Sequence, residues 1–525
     1  MQSVNSAKTQ SWLIWFFRGL IVLASFVVLA RLAELQIIKG EYYRDLAEGN
    51  RLREIRLPAP RGKILARSGQ VLVGNVEIQK WLIIDPLKGV TISEVTSQTP
   101  EDEKLTAWQR DYKLNSAFAH VGGYLGEVNK DEIGKSDPAC LDKGQRVLGQ
   151  FIGRSGLEQV YDCVLRGVDG QELVEVDAQG NRIRTFGRKP VQVGDDLQTT
   201  IDYDLQKFLP NRLAGKKGAI VVSNTKGEIL ALYSSPSFDP QKISEYINDP
   251  DLPLFNRASS GAYHPGSVFK MVTSVAALEE GAIARDYTYE DTGSVTVNEF
   301  EYTNWYFTQY GKTEGMIDLS QAIARSTDTF FYEVGGLLGA DKLSSWAREF
   351  GFGSKTGIDL PSESAGLVPS PEWKKAVKGE RWFLGNTFHM AIGQGDLEAT
   401  VLQANAMTSA LATGQLCQLH LTEAEPQCQT LSVSKQTLTD IKIGMQKACQ
   451  EGGTAYPFFG FSPDVACKTG TAETWNDEQT HAWFTVYGPV TDPEIVVTVL
   501  VENGGEGSEV AAPIAREIFD WWFHL

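Results

Sequence analysis

The longest apolar segment of the chain lies close to its N-terminus. Residues Ser11 to Leu32 are almost entirely hydrophobic, and only Arg18 and Arg31 interrupt them. The 20 residues from Leu13 to Leu32 would form a helix of about 30 Å, which matches the hydrocarbon thickness of a membrane. A cleaved signal peptide fits less well, because strongly apolar residues already precede Arg18 and no small-x-small cleavage site follows. We therefore predict an uncleaved transmembrane anchor at residues 11–32.

The residues on either side of this segment predict its orientation. Residues 1–10 carry Lys8 and no acidic residue, so the positive-inside rule favours a short cytoplasmic tail. No second apolar run of comparable length follows. We expect a single-pass protein of the inner (cytoplasmic) membrane, with the rest of the chain in the periplasm or outside the cell.

After the anchor, the pattern of hydrophobic and polar residues differs between two successive parts of the chain. A helical pattern over 33–57 is followed by short alternating segments with Gly-rich turns, which predicts a β-rich module. From residue 201 a hairpin is followed by several amphipathic helices, two strands and a last helix. The hairpin is 218–235, the helical windows are 267–280, 319–338, 399–413, 435–450 and 511–523, and the late strands are 482–487 and 494–501. We predict an elongated β-rich pedestal at 33–200 and, at 201–525, an α+β domain with helices packed on a mostly antiparallel sheet.

Composition and charge exclude several functional classes. The chain has 525 residues, with 49 Lys and Arg against 66 Asp and Glu, and so a net charge of −17. That negative charge would repel phosphate backbones, and we expect no nucleic-acid binding. The six histidines are scattered without ligand spacing and no Cys-x-x-Cys pair occurs, so we expect neither a metal nor a cofactor.

The six cysteines can pair if they lie outside the membrane. Proximity along the chain favours three disulfides, although connectivity cannot be read from sequence. These pairs are Cys140–Cys163, Cys417–Cys428 and Cys449–Cys467. A free Cys467 in the core is the alternative for the last pair.

The pattern Ser-x-x-Lys occurs three times, and its context separates the copies. Ser223 ends a strand, and Ser432 is interpreted as the N-cap of a helix. Ser267 instead follows Tyr-His-Pro-Gly and opens an amphipathic helix. Positions three apart share a helix face, so Lys270 can reach the Ser267 hydroxyl. A neutral lysine could take the hydroxyl proton if burial or a second cation lowers its pKa.

Two further short motifs follow in the chain. Ser326-Thr327-Asp328 lies within the helical pattern that begins at residue 319, and Lys-Thr-Gly occurs at residue 355 and again at residue 468. The first copy follows a helix and is interpreted as a structural turn. The second, Lys468-Thr469-Gly470-Thr471, precedes a strand and can lie along a sheet edge, where an extended substrate could pair with it.

The ordered set Ser-x-x-Lys, Ser-x-Asp, Lys-Thr-Gly resembles the signature of penicillin-binding proteins and serine β-lactamases. Several flanking segments, including Arg-Gly-Lys-Ile at residue 61 and Gly-Gln-Gly at residue 393, are similar to those of class B penicillin-binding proteins. β-Lactamases lack both the anchor and the first module. The resemblance implies a D,D-transpeptidase that cross-links peptidoglycan stem peptides ending in D-Ala-D-Ala. It also implies a domain built around a five-stranded sheet, a serine acyl-enzyme, and β-lactams as inhibitors.

The same resemblance assigns a role to each motif residue. Ser267 would be the nucleophile, Lys270 its base, and Ser326 a proton carrier to the leaving amine. Lys468, Thr469, Gly470 and Thr471 would bind the terminal carboxylate of the substrate, and the Lys468 charge would lower the pKa of Lys270. Backbone N–H groups of Ser267 and Thr471 would form the oxyanion hole.

Asp328 departs from the commoner family pattern, which has Asn. An ionised carboxylate beside Lys270 favours the ammonium form and opposes its action as a base. Elongation-type members, resembling penicillin-binding protein 2, carry Ser-x-Asp followed by an aromatic-rich segment like Thr329–Tyr332. The resemblance therefore favours a role in cell elongation, with a SEDS-family glycosyltransferase of the RodA kind as partner.

Three other functions stay open from the sequence. The first is a division-type transpeptidase of the same class. The second is a D,D-carboxypeptidase or a drug sensor, in which water replaces the amine acceptor. The third is a non-enzymatic scaffold that activates a partner glycosyltransferase through residues 33–200, and Asp328 is the residue that keeps this alternative open.

Overall fold

A computed structural model describes residues 7–85, 89–97, 99–100, 103–177, 179–474 and 479–524. Of the predicted cytoplasmic tail, residues 1–6 lie outside this part. The helices are α1 (Ala7–Ala33), α2 (Gly40–Arg51), α3 (Ala119–Gly122), α4 (Gly156–Val160), α5 (Asp162–Leu165), α6 (Tyr203–Phe208), α7 (Lys270–Glu279), α8 (Trp305–Tyr310), α9 (Leu319–Arg325), α10 (Asp328–Leu338), α11 (Ala340–Glu349), α12 (Pro371–Lys378), α13 (Leu384–Ala391), α14 (Val401–Thr413), α15 (Lys435–Ala448) and α16 (Ala512–His524).

The strands are mostly short in the first part of the chain and longer near its end. They are β1 (Leu52–Leu57), β2 (Ile64–Leu65), β3 (Val71–Asp85), β4 (Gly89–Glu94), β5 (Lys104–Tyr112), β6 (Leu125–Glu127), β7 (Phe151–Gly153), β8 (Gly170–Val176), β9 (Arg182–Lys189), β10 (Leu197–Gln198), β11 (Gly218–Ser223), β12 (Ile229–Ser235), β13 (Thr288–Asp291), β14 (Ser294–Val297), β15 (Phe300–Thr303), β16 (Gly315–Asp318), β17 (Gln415–Cys417), β18 (Cys428–Thr430), β19 (Ala466–Glu473), β20 (Thr480–Gly488) and β21 (Ile495–Val501).

The N-terminal apolar segment forms one continuous helix. α1 covers the predicted anchor, and a single π-helical turn, Glu34–Ile38, extends it. Its apolar side chains are exposed, among them Phe26 at 71 %. The stretch from Trp12 to Ile38 is long and apolar enough to cross a membrane.

The chain divides into two compact units. The first contains residues up to 60 together with 75–109 and 167–194. In it, β1, β8 and β9 form an antiparallel sheet, and β3 pairs with β4. Ile55 and Leu57 of β1 pack against Val174 and Val176 of β8 in a small core, as the prediction of a β-rich module requires.

The second unit contains 61–74, 110–166 and 195–525. Its central sheet has five strands in the order β12-β11-β21-β20-β19, and every neighbouring pair is antiparallel. This confirms the predicted α+β fold with a five-stranded antiparallel sheet. The sheet begins with the hairpin β11–β12 and ends with β19, which lies at an edge of the sheet.

Both faces of this sheet are covered by helices. Ala219 and Val221 of β11 belong to a large core that includes α7, α10 and α14. The alternate residues Ile220 and Val222 belong to a second core with α6 and α16. Because consecutive side chains of a strand point to opposite faces, an uninterrupted apolar strand such as β11 is buried on both sides.

Three local predictions are wrong, and each has a physical cause. The helical pattern over 33–57 ends at Arg51, because the side chains that follow alternate as a strand and pair with β8. The window 319–338 is two helices, since Ser326 adopts a left-handed conformation, with φ +58°, and ends α9. Ser434 rather than Ser432 is the N-cap of α15, because its hydroxyl accepts from Thr437 N at 3.2 Å.

The first two segments of the second unit, 61–74 and 110–166, share a buried cluster of charged residues. Arg61 contacts Glu158 at 2.8 Å and Asp162 at 2.8 Å, and Arg110 contacts the other oxygen of Glu158 at 2.7 Å. All four side chains are at most 9 % exposed. Breaking such a pair leaves an uncompensated charge in the interior, which is strongly destabilising.

The compact units do not follow the predicted pedestal boundary at residue 200. Residues 61–74 and 110–166 belong to the same compact unit as the C-terminal half of the chain. The sequence instead predicts a single boundary at residue 200. The division into 33–200 and 201–525 stays a prediction. All three predicted cysteine pairs, in contrast, are disulfides in the structure.

Candidate active site

Ser267 lies in a tight turn that leads into α7. Gly266–Val268 form one turn of 3₁₀-helix, and α7 begins at Lys270. Gly266 has φ +54°, and a Cβ at this position would lie 2.8 Å from the Thr471 carbonyl oxygen. A glycine is therefore required for both conformation and close approach. Ser267 itself is half-buried, although Val268 and Phe269 beside it are fully buried.

The Lys270 side chain is fully buried, and its amine makes three hydrogen bonds. Its Nζ donates to the Ser326 carbonyl at 2.7 Å, to Ser326 Oγ at 3.2 Å and to Asp328 Oδ1 at 2.7 Å. Ser267, three residues earlier, lies on the turn that begins the same helix. Within the described part of the chain, the Ser267 hydroxyl has no hydrogen-bond partner, so the predicted direct bond to Lys270 is not among those present.

Ser326 occupies the break between α9 and α10. Its N–H donates to Ile323 O at 3.2 Å, and the N–H of Thr327 donates to Ala322 O at 3.1 Å. This is the hydrogen-bond pattern of a Schellman motif, in which glycine is the usual left-handed residue. A serine there is strained by order 1–3 kcal/mol, and the conformation aims its hydroxyl at two lysines.

The second of these lysines is Lys468 on β19. Its Nζ donates to Ser326 Oγ at 2.8 Å and to the Thr469 carbonyl at 2.9 Å, and the side chain is fully buried. Ser326 Oγ therefore accepts from the Nζ atoms of both Lys270 and Lys468. The three motifs that are far apart in the sequence, Ser-x-x-Lys, Ser-x-Asp and Lys-Thr-Gly, meet at this hydroxyl.

The edge strand β19 lies directly against the turn that carries Ser267. A Cβ on Gly470 would lie 3.0 Å from Val268 Cγ2 and 2.9 Å from Trp483 Cβ. Thr469 Oγ1 is 2.8 Å from Thr454 Oγ1, and Thr471 Oγ1 donates to Glu506 Oε2 at 2.7 Å. Glycine at 470 thus brings the strand close to the turn of Ser267.

The pKa values of Lys270 and Lys468 are both lowered, and different neighbouring charges act on each. Burial lowers the pKa of Lys270, and the Asp328 carboxylate partly offsets this by raising it. Burial, and then the charge of Lys270, hold the pKa of Lys468 well below its ordinary value. The principal cause of the lowered Lys270 pKa is therefore burial rather than the predicted field of Lys468.

Residues that the sequence analysis did not identify hold Asp328 in place. The N–H of Trp305 donates to Asp328 Oδ2 at 3.1 Å, and the N–H of Asp328 donates to Asn304 Oδ1 at 3.1 Å. Asn304 in turn donates to Asp291 Oδ2 at 3.1 Å, and both residues are almost completely buried. No short motif marks Asn304 or Asp291, because they reach Asp328 only through the fold.

The other copies of Lys-Thr-Gly and Ser-x-x-Lys lie away from the site formed by Lys270, Ser326 and Lys468. Lys355-Thr356-Gly357 lies in the loop after α11, where Thr356 N donates to Glu363 Oε1 at 2.7 Å. Of the other two Ser-x-x-Lys serines, Ser223 donates to Asn405 Oδ1 at 2.6 Å in the core, and Ser432 is exposed. The Cys449–Cys467 disulfide ties the residue before Lys468 to the end of α15.

Comparison with known proteins agrees with this geometry. The family model of the penicillin binding protein transpeptidase domain matches residues 218–520, and that of the penicillin-binding protein dimerisation domain matches residues 84–199. The peptidoglycan D,D-transpeptidase MrdA of Acinetobacter baumannii is 32 % identical over 97 % of this chain and 87 % of its own length.

Two solved structures are similar over most of their length. One is the complex between penicillin-binding protein 2 (PBP2) and MreC from Helicobacter pylori, with a TM-score of 0.78 and 27 % identity over 90 % of this chain and 99 % of that chain. The other is a chain from the structure of a peptidoglycan synthase complex that coordinates polymerization and crosslinking. It has a TM-score of 0.76 and 29 % identity over 99 % of both chains.

Proposed function

We propose that this chain, which belongs to the penicillin-binding protein transpeptidase family, is a peptidoglycan D,D-transpeptidase of the elongation type. Its donor substrate is a stem peptide ending in D-Ala-D-Ala, and its acceptor is an amine of a neighbouring stem. The observation that carries this proposal is the Ser326 hydroxyl, which accepts hydrogen bonds from two buried lysines next to the turn of Ser267.

The first half of the proposed reaction forms an acyl-enzyme. Ser267 Oγ attacks the carbonyl carbon of the penultimate D-Ala, and neutral Lys270 takes the hydroxyl proton. The tetrahedral oxyanion is stabilised by the N–H groups of Ser267 and Thr471. The peptide bond then breaks, the leaving D-Ala nitrogen receives a proton through Ser326, and the acyl group stays on Ser267.

The second half reverses these roles. The acceptor amine attacks the Ser267 ester and loses its proton to the same lysine–serine relay. The ester bond breaks, the Ser267 oxygen recovers a proton from Lys270, and the new peptide bond is the cross-link. Ser326 suits the relay, because its oxygen lies within hydrogen-bond distance of both Nζ atoms.

The proposed base has to be neutral before it can accept a proton. Complete burial favours the neutral amine of Lys270, and the carboxylate of Asp328 favours the ammonium. The pKa of Lys270 is lowered overall, so burial exceeds the effect of Asp328. Asp328 then serves to stabilise the ammonium that forms after proton transfer.

We propose that the donor binds along β19. An edge strand offers unpaired backbone groups to an extended peptide, and Thr469 and Thr471 alternate with Lys468 and Gly470 along it. The hydroxyls of Thr469 and Thr471 and the charge of Lys468 would hold the terminal carboxylate. β-Lactams carry a carboxylate beside a reactive amide, and they would acylate Ser267 in the same position.

We also infer where the chain works and with what. α1 would cross the inner membrane once, with the rest of the chain in the periplasm or outside the cell. A SEDS-family glycosyltransferase of the RodA kind is the proposed partner. This is supported by the helix that can span a membrane and by a structural relative that belongs to a peptidoglycan synthase complex.

Product analysis with the full chain in detergent tests the proposal. A stem peptide ending in D-Ala-D-Ala and an amine acceptor should yield free D-Ala and a cross-linked product. Ser267→Ala should abolish both, whereas Ser432→Ala, in the exposed Ser-x-x-Lys copy, should retain both. Only hydrolysed product would make the chain a carboxypeptidase. An absence of D-Ala release and of penicillin acylation would favour the scaffold.

A further inference from the structure

Glu506 places a carboxylate at the edge of the site. It lies in the segment Gly504-Gly505-Glu506-Gly507 that follows β21. Its Oε2 accepts from Thr471 Oγ1 at 2.7 Å, and its Oε1 accepts from Gln309 Nε2 at 3.1 Å. Thr471 is on β19 and Gln309 is on α8, so one carboxylate joins two separate segments of the site.

The Glu506 side chain neither caps a helix nor forms an ion pair among the described residues. It stands before the π-helical turn Gly507–Ala511 but makes no capping hydrogen bond with its side chain. Among the described residues, no Lys, Arg or His lies within ion-pair distance of this carboxylate. Only neutral donors hold it, and such a carboxylate is stabilised less than one paired with a cation.

The position of this carboxylate coincides with a proposed substrate contact. Under the function proposed above, the Thr471 hydroxyl donates to the terminal carboxylate of the donor. A hydroxyl has one hydrogen to donate, and here Glu506 receives it. Two carboxylates at one hydroxyl would also repel each other, so substrate and Glu506 compete for Thr471.

The backbone beside Glu506 packs closely against the sheet. A Cβ on Gly507 would lie 2.2 Å from the Trp483 carbonyl oxygen and 2.3 Å from the Gly470 carbonyl oxygen. Only a glycine allows this contact, and it fixes the segment against β19 and β20. Rotation of the Glu506 side chain alone would release Thr471, without a movement of this packed segment.

We propose that Glu506 is a specificity-determining residue that competes internally with the carboxylate of the donor. In the free enzyme it occupies the Thr471 hydroxyl and, through Gln309, links α8 to β19. A donor whose carboxylate displaces Glu506 gains access to Thr471, and this displacement lowers the rate of acylation. The inference rests on the proposed function, because it requires Thr471 to bind the donor carboxylate.

Acylation rates of the full chain in detergent test the inference. The probes are benzylpenicillin, which carries the carboxylate, and its methyl ester, which does not. Glu506→Gln removes the charge but keeps the size of the side chain. It should raise the ratio of the two second-order rate constants, penicillin over ester, roughly tenfold, because the internal competitor becomes neutral. Glu509→Gln, which removes an exposed carboxylate from the same segment, is the matched control and should leave the ratio unchanged.

Each outcome decides the question. An unchanged or lower ratio in Glu506→Gln, with a melting temperature close to that of the wild type, overturns the proposal. An equal rise for penicillin and ester also overturns it, since the effect would not depend on the donor carboxylate. Failure of the wild type to be acylated at Ser267 would instead refute the proposed function, so the two failures are distinguishable.

Discussion

Replacing Asp328 with asparagine tests how the site sets the charge of Lys270. The Asp328 carboxylate lies 2.7 Å from Lys270 Nζ and raises its pKa against the lowering that burial causes. Asparagine has nearly the same shape and can still accept from the Trp305 N–H, but it carries no charge. The substitution therefore removes one electrostatic contribution and retains most of the packing.

The expected shift follows from the geometry of the pair. An opposite charge at this distance moves a pKa by about 1–3 units. Without it, burial acts alone and the Lys270 pKa falls further. Lys270 accepts a proton only when neutral, and the neutral fraction rises with pH through this pKa. The ascending limb of the acylation rate against pH should consequently move to lower pH in Asp328→Asn, by about 1–3 units.

The assay is the second-order rate of acylation by a fluorescent penicillin at several pH values. Asp286→Asn is the matched control, because Asp286 is exposed and lies in the same unit, and it should leave the ascending limb unchanged. An ascending limb of Asp328→Asn that stays in place or moves to higher pH would refute the reasoning. Lys270 would then not be the base, or Asp328 would not set its charge.

Three further substitutions probe how the site is supported. Replacing Cys449 and Cys467 with alanine should lower the free energy of unfolding by about 3 kcal/mol, because the disulfide closes a loop with a sequence separation of 18 residues. Denaturant unfolding measures this change, and an unchanged midpoint of the unfolding curve would contradict it. Gly266→Ala should slow penicillin acylation at least tenfold, because its Cβ would lie 2.8 Å from a carbonyl oxygen, and a wild-type rate would show that the turn tolerates a side chain. Arg61→Ala should cost about 3–5 kcal/mol of stability, measured by thermal unfolding, and a loss below 1 kcal/mol would mean that Glu158 finds another partner.

The sequence predicted those features that depend on neighbouring residues. The apolar segment that became α1, the strands β20 and β21, and the turn that opens α7 follow from local periodicity and from residues with restricted backbones. The Ser267 and Lys468 motifs were recognised because their order along the chain resembles a known family. The three disulfides were predicted from the closeness of each cysteine pair along the chain. This prediction is correct because each disulfide closes a short loop.

Features that depend on tertiary contacts were not predictable. Ser326 continues a helical pattern in the sequence. Its left-handed conformation accompanies the backbone hydrogen bonds that end α9, and its hydroxyl then meets two lysines that are distant in the sequence. The residues of β1 follow a helical pattern, and their partner strand β8 lies more than a hundred residues away in the sequence. The local sequence therefore does not show that they form a strand. Asn304 and Glu506 carry no motif, since their roles arise from contacts with Asp328 and Thr471 that the fold creates.

The central claim is that Ser267 is the nucleophile. Mass-spectrometric mapping of the full chain after reaction with benzylpenicillin tests it most directly. We predict a single penicilloyl adduct on Ser267 in the wild type and none in Ser267→Ala. An adduct on Ser326 or any other residue, or one that persists in Ser267→Ala, would contradict the account.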